Sequence, residues 1–473
     1  MTSSHSRRRS HEDYPLADRS PRRSHSHNGH NGGLPPPTTY SQYKRRRGTE
    51  AKEPRSHRLI QPAGESGRRG FHPLKFLKIS FRSASRASLV CNVLWPVVPA
   101  ALAVRYSLPE KHVLIFTLAY IAMVPCANLV GFAGQELARK FPHVAGVLAE
   151  ITFGSIVEIV LFMVLLSKDM YEVIKAAILG SILATMLLCL GLCFFAGGLW
   201  HEQQTFNEAI SEAGSGLLLT AGVVLAVPTA FERGLSASAI SPGAEQLEIK
   251  TLNISRVISI MLIISYAVYV FFQARTHHGI YTQSYEEDEH RDRDGHKDRA
   301  KDKLTLVEAL IALAIGIALV TLIAITLVLQ IEYIIEESAI SDAFMGLILV
   351  PLVEKFAEHL TAIDEAWDNQ MNFALSHVLG ATLQTALFNG PLAVIVSWGL
   401  GTTLDLNFDL FNLVMLLLAI LTVGRFLQDQ KSNYLEGILL VVLYIAIAVA
   451  AFHYPDPPHG EGGGETENAE GGH

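Results

Sequence analysis

The chain has 473 residues, of which 49% are apolar and only 18% are charged. Soluble domains carry about 25% charged residues, so this composition excludes an ordinary soluble enzyme. The net charge of −7 hides a segregation of charge, because residues 1–86 contain 19 of the 38 Lys and Arg but 6 of the 45 Asp and Glu. A basic arm therefore precedes an acidic, apolar body.

The arm, residues 1–86, is rich in Arg, Ser, His, Pro and Gly. Such a segment has no apolar surface with which to build a core, so we expect it to be disordered. Basic arms can bind nucleic acid, but the hydrophobic body favours a lipid bilayer as the partner, and we expect no nucleic acid partner. The positive-inside rule then places the amino terminus in the cytosol.

From Ser88 onward, apolar runs follow one another, each long enough to cross a bilayer, which takes about 20 residues. They predict an all-α polytopic membrane protein with 11 transmembrane helices, at residues 88–106, 112–138, 144–167, 172–199, 207–231, 254–274, 304–330, 339–363, 373–399, 408–428 and 433–454. A charged loop, 275–303, separates a first transmembrane half, 87–274, from a second, 304–454. An acidic tail, 455–473, follows the last span.

The charges of the loop and the tail agree with this count of spans. Six crossings return the loop 275–303 to the cytosol, and this loop contains seven Lys and Arg. Eleven crossings place the tail 455–473 on the far side, and the tail contains five acids and no Lys or Arg. The orientation is the one that the positive-inside rule favours.

An internal repeat relates the two halves at a constant offset of 200. The segments 178–188 and 378–388 share Gly, Leu, Thr and Leu at matching positions, and Glu158 matches Glu358. The repeat unit is spans two to six against spans seven to eleven, with the first span left over. Because five is odd, the second copy enters the membrane from the opposite side. Inverted repeats are typical of secondary transporters, whose substrate sites lie near the membrane midplane.

Ionisable residues inside membrane spans predict the functional site, because burying them in lipid is costly. Glu158 lies in the third span, and Glu354, Lys355, Glu358 and His359 lie together in the eighth. A buried carboxylate binds a proton or a cation in competition, which is the basis of antiport. One alternative is that Lys355 only pins helices through a salt bridge with Glu354 or Glu358. His359 either relays protons or packs between helices.

Hard cations such as Ca²⁺ require several oxygen ligands at once. We expect Glu158 and Glu358 to bind the transported metal ion. The further candidate ligands are neutral side chains on spans three, four and nine: Thr152, Ser155, Ser181, Thr382 and Gln384. No cofactor is expected beyond the transported Ca²⁺ and H⁺. No zinc-protease or nucleophile-elbow motif is present, so we expect no enzyme activity.

Several longer motifs carry a resemblance to a known family. They include Leu-Gly-Ser-Ile-Leu at 179–183, Tyr-Ala-Val-Tyr-Val-Phe-Phe-Gln at 266–273, Ala-Glu-His at 357–359 and Phe-Leu-Gln-Asp-Gln-Lys-Ser-Asn-Tyr-Leu-Glu-Gly at 426–437. With these motifs, residues 88–454 resemble the vacuolar-type calcium/proton exchangers of the cation/Ca²⁺ antiporter superfamily. The resemblance implies an ion-binding site at Glu158, Glu358 and His359. It also implies the membrane of the vacuole or of another acidic organelle.

The chain departs from the two ion-binding signatures of that family. Where the family has Gly-Asn-Ala-Val-Glu and Gly-Asn-Ala-Ala-Glu-His, this chain has Gly-Ser-Ile-Val-Glu at 154–158 and Glu-Lys-Phe-Ala-Glu-His at 354–359. Ser155 and Lys355 therefore replace two amides, and Glu354 replaces a glycine. We expect Glu354 and Lys355 to modify the selectivity of the site, with Lys355 facing Glu358 or Glu158 in the space where the family has an amide ligand.

Three functional hypotheses follow. The first is a secondary-active antiporter that moves Ca²⁺ from the cytosol into an acidic organelle in exchange for H⁺. The second is a Na⁺ or K⁺/H⁺ exchanger of the same fold, because Lys355 between two carboxylates leaves a site of net charge −1, which suits a monovalent ion. Glu354 restores a charge of −2 if it also faces the site. The third is a membrane sensor or scaffold that does not transport.

Overall fold

The computed structural model describes residues 70–82, 86–237, 243–292, 301–338 and 340–454. All of these residues belong to one unit of the chain, Arg58–His473. The other unit, Met1–His57, lies outside the described residues. The expectation of disorder for residues 1–69 and for the tail 455–473 also falls outside them and stays a prediction.

The first half of the described chain is helical apart from one short strand. Its α-helices are α1 (Pro73–Arg82), α2 (Arg86–Cys91), α3 (Val97–Ser107), α4 (His112–Ala138), α5 (His143–Gly154), α6 (Ile156–Leu166), α7 (Tyr171–Leu183), α8 (Leu190–Gly198), α9 (Glu208–Ser236), α10 (Ala244–Phe271) and α11 (His278–Arg291). A 3₁₀ turn, Asn92–Leu94, follows α2. Two π-helical turns, Ala184–Cys189 and Phe272–Thr276, follow α7 and α10. The strand is β1 (Gln204–Thr205).

The second half repeats this pattern. Its α-helices are α12 (Leu306–Val328), α13 (Ile331–Ser338), α14 (Asp342–Phe344), α15 (Val350–Glu354), α16 (Phe356–Trp367), α17 (Met371–Gln384), α18 (Gly390–Leu400), α19 (Leu410–Phe426) and α20 (Tyr434–Phe452). π-helical turns occur at Met345–Leu349 and Thr385–Asn389, and a 3₁₀ turn occurs at Leu427–Asp429. The second strand, β2 (Lys431–Ser432), pairs antiparallel with β1, with Gln204 opposite Ser432.

Among the described residues, ten helices are long and apolar enough to cross a membrane. They coincide with ten of the eleven predicted spans, so the prediction of an all-α polytopic membrane protein is confirmed. The outward faces of these helices carry large apolar side chains that are exposed in the isolated chain, such as Met261 and Val268 on α10. Contiguous exposed apolar surface of this kind requires a cover, which lipid supplies.

The eleventh predicted span, 339–363, has a different character. Here the chain forms α14, a π-helical turn, α15 and α16, and the helix is interrupted at Lys355. Its charged residues, Glu354, Lys355 and Glu358 among them, set it apart from the ten long apolar helices. The count of eleven spans therefore stays a prediction.

The expected boundary of the disordered arm at residue 86 is wrong. Residues 73–82 form α1, in which Phe76 and Ile79 are buried. Just before α1, the backbone N–H of His72 donates to Glu308 Oε1 at 3.0 Å. The apolar positions of α1 lie one helical turn apart, so they form one buried stripe on an otherwise basic segment.

Local backbone features recur at the offset of 200 between the repeats. The third and eighth predicted spans, 144–167 and 339–363, are called here the third and eighth segments, and they are interrupted at Ser155 and at Lys355. The turns that end these segments place Asp169 and Asn369 in the left-handed region, with φ of 58° and 63°. These features support the repeat independently of side-chain similarity, since each requires the same change of backbone direction in both copies.

The repeats pack closely where the fourth and eighth segments meet. Gly180 on α7 lies directly against the backbone of Leu347, so that a Cβ at position 180 would fall on the Leu347 carbonyl oxygen. Only glycine lets two backbones approach this closely. This contact brings the interruption at Lys355 next to the helices of the first repeat.

Candidate ion-binding site

The interruptions of the third and eighth segments place the two predicted glutamates. Ser155 and Lys355 have ψ of 1° and −3°, in the sparsely populated region between helix and strand. A new helix starts after each of them, and Glu158 and Glu358 lie in the first turns of α6 and α16. A carboxylate at this position is stabilised by the helix dipole and by free backbone N–H groups.

Glu158 is buried, with 1% of its surface exposed, and both of its carboxylate oxygens are occupied. Lys355 Nζ lies 2.7 Å from Oε2, and Asn389 Nδ2 donates to the same oxygen at 2.6 Å. Thr385 Oγ1 lies 2.8 Å from Oε1 and 2.9 Å from Oε2. An ionised carboxylate has about four lone-pair sites. Because the Thr385 hydroxyl has one proton, these four contacts come from three donors, and they engage Oε2 more fully than Oε1.

Lys355 joins the two repeats through its ammonium group. The side chain is 1% exposed, and its Nζ also lies 3.2 Å from Glu358 Oε2. One positive charge is thus held between Glu158 on α6 and Glu358 on α16. The salt bridge anticipated from the sequence is present with Glu358, and the closer partner is Glu158 from the other repeat. Lys355 thus occupies the space between the two predicted cation ligands.

Glu358 is the more accessible of the two predicted carboxylates. Its side chain is 16% exposed, and its Oε1 has no hydrogen-bond partner among the described residues. Gly154 lies against it, because a Cβ at position 154 would be 2.8 Å from Glu358 Oε1. A cavity of about 30 Å³ adjoins Glu358 and is also lined by His359. This volume has room for a water molecule or a small cation.

Glu354 is buried, with 2% of its surface exposed, and its carboxylate accepts no hydrogen bond among the described residues. The charges of Glu158, Lys355 and Glu358 all act on it. Ser181 on α7 is its neighbour, but the Ser181 hydroxyl also lacks a partner within hydrogen-bonding distance. Glu354 and Ser181 together present buried oxygens from both repeats.

Of the remaining predicted ligands, some lie beside Glu158 and others do not. Ser155 accepts a hydrogen bond from Gln384 Nε2 at 2.6 Å, which joins the two repeats beside Glu158. Thr382 is buried, but its hydroxyl donates to the carbonyl of Val378 on its own helix. Thr152 is exposed and donates to Leu148 on its own helix. The structure thus does not bring Thr152 to the site, because the interruption at Ser155 rotates the helix before it away from Glu158.

His359 is buried beside the carboxylates. Its Nε2 lies 3.4 Å from Thr185 Oγ1 on the π-helical turn of the fourth span. His359 also lines the cavity next to Glu358, and this position fits both proton transfer and packing between helices.

Two direct partners of Glu158 escaped the sequence analysis. Thr385 was used only to define the register of the repeat, and Asn389 was not considered. The offset of 200 was the available signal, because it places Thr385 opposite Thr185 and Asn389 opposite Cys189. A lone asparagine in an apolar span is costly unless it has a partner, and Glu158 is that partner.

A second ionisable cluster lies on the open side of the cavity. His377 on α17 has its Nδ1 2.7 Å from Glu365 Oε2 and its Nε2 3.7 Å from Glu150 Oε2. Glu150 also lines an outer cavity of about 190 Å³, which reaches Lys303 at the end of the charged loop. The two cavities share several lining residues. Glu358 is therefore approached from the side of the membrane on which the 275–303 loop lies.

Comparisons with known proteins identify relatives of the chain. The family model described as "Sodium/calcium exchanger protein" matches residues 111–275 and 308–453. The chain is 32% identical over 391 residues to "Vacuolar cation/proton exchanger 2" of Arabidopsis thaliana, covering 82% of this chain and 87% of that protein. It is also 32% identical to the "Vacuolar calcium ion transporter" of Schizosaccharomyces pombe, covering 72% of this chain and 79% of that protein.

Solved structures show the same fold. The crystal structure of the selenium-substituted Ca²⁺/H⁺ antiporter protein YfkE is similar with a TM-score of 0.62 and 28% sequence identity, over 78% of this chain and 99% of that one. The two ranges matched by the family model cover spans two to eleven, apart from a few residues at the start of span seven and the end of span eleven, and leave out the first span. The chain therefore belongs to the sodium/calcium exchanger family of cation/Ca²⁺ antiporters.

Proposed function

We propose that the protein is a secondary-active antiporter that moves Ca²⁺ out of the cytosol into an acidic organelle in exchange for H⁺. One observation carries this proposal: the carboxylates of Glu158 and Glu354 are buried and that of Glu358 is half-buried where the interruptions of the two repeats meet, and a cavity reaches Glu358 from one side. The relatives named as a vacuolar cation/proton exchanger, a vacuolar calcium ion transporter and a Ca²⁺/H⁺ antiporter support the same cargo.

The exchange follows from the cost of burying charge. A carboxylate without water is stable when a proton or a cation neutralises it, and unstable when neither does. Cation binding from one side therefore requires proton release, and proton binding from the other side requires cation release. Rocking of one repeat against the other would expose the cluster to each side in turn. The proton gradient of an acidic compartment would then drive Ca²⁺ uptake.

The proposed orientation places the amino terminus and the 275–303 loop in the cytosol. The seven Lys and Arg of the loop and the acidic tail favour this direction. The outer cavity opens beside Lys303 at the end of this loop, so the described conformation would face the cytosol. The membrane would be that of the vacuole or of another acidic organelle.

The experiment is reconstitution of the full-length protein in vesicles with an imposed pH gradient, testing Ca²⁺, Na⁺ and K⁺ in turn. We expect Ca²⁺ uptake coupled to proton efflux, and at least a tenfold loss in Glu358→Gln. The matched control is Glu172→Gln, since Glu172 also pairs with a lysine three residues away but lies at the surface. If no cation moves in response to the gradient, the protein is a sensor or scaffold instead.

A monovalent cargo is the second candidate, and the position of Lys355 favours it. An ammonium about 4 Å from the cargo repels a divalent ion by about 8 kcal/mol and a monovalent ion by about 4 kcal/mol, at an effective dielectric constant near 20. Lys355→Asn would therefore raise Ca²⁺ transport relative to Na⁺ or K⁺. Wild-type transport of Na⁺ or K⁺ without Ca²⁺ would establish the monovalent exchanger.

A further inference from the structure

The carboxylates of the site differ in how far their hydrogen-bonding capacity is used. Glu158 accepts contacts from Lys355, Asn389 and, on both oxygens, Thr385. Three donors thus contact Glu158, one of them the Lys355 ammonium at 2.7 Å, so a cation that bound Oε2 would have to displace a group that already neutralises the carboxylate. Glu158 is thus bound in an ion pair that spans the two repeats.

Glu354, unlike Glu158, accepts no hydrogen bond from the described residues. Both of its oxygens are buried. The nearby Ser181 Oγ and the Glu358 Oε1 are likewise buried and without a partner. A buried polar oxygen without a partner costs free energy that a bound cation would recover. Two carboxylates and a hydroxyl are ligands that a hard cation prefers.

We propose that Glu354, and not Glu158, is the carboxylate that binds the cargo cation together with Glu358, with the Ser181 hydroxyl as a further ligand. This inference rests on the proposed antiport function and specifies its binding site. Lys355 acts in this site as a fixed cation that neutralises Glu158. The adjacent residue, Glu354, then binds the cargo cation.

The charges of the cluster then select the cargo. Glu158 and Lys355 cancel, so that Glu354 and Glu358 leave a net charge of −2. This charge matches one divalent cation or two protons, and a monovalent ion would leave one buried carboxylate uncompensated. The inference therefore favours Ca²⁺ over Na⁺ or K⁺, although a lysine stands in the middle of the site.

The first test labels the wild-type protein with a hydrophobic carbodiimide, which modifies carboxyl groups in apolar surroundings, and locates the adducts by mass spectrometry. Tryptic cleavage after Lys355 separates Glu354 from Glu358, and Glu158 lies on another peptide. We expect Glu354 to be modified and saturating Ca²⁺ to reduce its labelling at least tenfold. Protection of Glu158 by Ca²⁺ without protection of Glu354 would overturn the inference.

Transport in reconstituted vesicles supplies the second test. Glu354→Gln should lower Ca²⁺ uptake at least tenfold, with Glu172→Gln as the surface control. Adding Lys355→Asn to Glu354→Gln should restore uptake, because Glu158 is then released from the ammonium and can bind Ca²⁺. This recovery would distinguish a lost ligand from a misfolded protein. Uptake at the wild-type rate in Glu354→Gln would refute the inference.

The two tests separate this inference from the proposed function. If the wild-type protein moves no cation while Ca²⁺ still protects Glu354, the binding site is correct and the antiport function is wrong. If the wild-type protein exchanges Ca²⁺ for protons and Glu354→Gln does so equally well, antiport is correct and the assignment of Glu354 is wrong.

Discussion

At the scale of single residues, Lys355 determines which oxygens are free. Its ammonium lies 2.7 Å from Glu158 and 3.2 Å from Glu358, so three buried charges compensate one another only in part. A buried ion pair contributes little net stability compared with apolar residues of similar volume, but removing one partner leaves an uncompensated charge. The contribution of Glu158 to stability should therefore depend on whether Lys355 is present.

Glu158→Gln should destabilise the protein by about 3 kcal/mol, because it leaves the Lys355 ammonium with one charged partner instead of two. Thermal unfolding in detergent measures the effect. In the double variant Glu158→Gln/Lys355→Met both charges of the pair are removed, and only part of the lost stability should return, because Glu358 also loses its ammonium partner. A single variant as stable as the wild type would show that the pair does not hold the repeats together.

At the scale of elements, the site depends on how closely helices from the two repeats approach. Gly180 and Gly380 occupy matching positions of the repeat but meet different neighbours. A Cβ at 180 would collide with the backbone of Leu347, whereas a Cβ at 380 would meet only the side-chain tip of Ile151. The tolerance for a larger residue should therefore differ between the two copies.

Gly180→Ala should cost about 1–3 kcal/mol, since backbone cannot move aside as a side chain can. Gly380→Ala is the matched control and should cost less, because the Ile151 side chain can change rotamer. Melting temperatures of the two variants in the same detergent provide the comparison. Equal losses would mean that the packing of α7 against the eighth segment is not the tighter contact.

The charged loop also contributes an ordered element. Asp288 on α11 accepts hydrogen bonds from the backbone N–H groups of Asn372 and Phe373, at 2.7 Å and 3.1 Å. These N–H groups lie in the first turn of α17, where a helix offers them no carbonyl partner of its own. The same helix continues into the π-helical turn that contains Thr385 and Asn389. Asp288 thus caps a helix of the site from outside the membrane spans.

Lowering the pH should strengthen this docking of α11. Burial raises the pKa of Asp288 from 3.8 to about 6, and outweighs the opposing hydrogen bonds from Phe373 and Asn372 and the nearby charge of Arg291. The docked state therefore binds the proton more tightly than the undocked state, so the gain is full below about pH 3.8 and is lost as the pH rises through about 6.

The measurement is hydrogen–deuterium exchange of residues 278–291, expressed as protection factors corrected for the intrinsic effect of pH. Protection should be higher at pH 5 than at pH 7. Asp288→Asn should abolish the difference, since the amide does not titrate. Equal protection of the wild-type protein at both pH values would contradict the prediction.

At the scale of the whole molecule, the amino-terminal arm joins the membrane body at a definite point. The Gly70 carbonyl accepts a hydrogen bond from Thr305 Oγ1 at 2.8 Å, and Thr305 caps α12. Phe76 and Ile79 on α1 are buried. Residues from 70 onward are thus part of the fold, although their composition resembles that of the preceding arm.

Two truncations should separate the arm from the fold. Removal of residues 1–69 should leave the melting temperature unchanged, because none of these contacts is lost. Removal of residues 1–82 should cost roughly 2 kcal/mol or more, since it exposes the surfaces that Phe76 and Ile79 cover. Thermal unfolding of the two truncated proteins tests this, and equal stability would show that α1 is dispensable.

The class of fold, the repeat and the positions of Glu158 and Glu358 within the spans could be predicted from the sequence. Each leaves a local or periodic signal, since a span requires about 20 apolar residues, the repeat has one constant offset, and a carboxylate in an apolar run is conspicuous. The helix α1 was missed because a short amphipathic stripe in basic sequence is a weak signal until something packs against it.

Only the tertiary structure decided which oxygens of the site are free. Residues nearly 200 positions apart meet there, and the sequence offered Glu354, Glu358 and Glu158 as partners of Lys355. The inverted packing brings Lys355 nearest to Glu158, 2.7 Å away, with Thr385 and Asn389 beside it. Sequence shows which charges are buried, but their compensation depends on distances of a few ångströms between helices of different repeats.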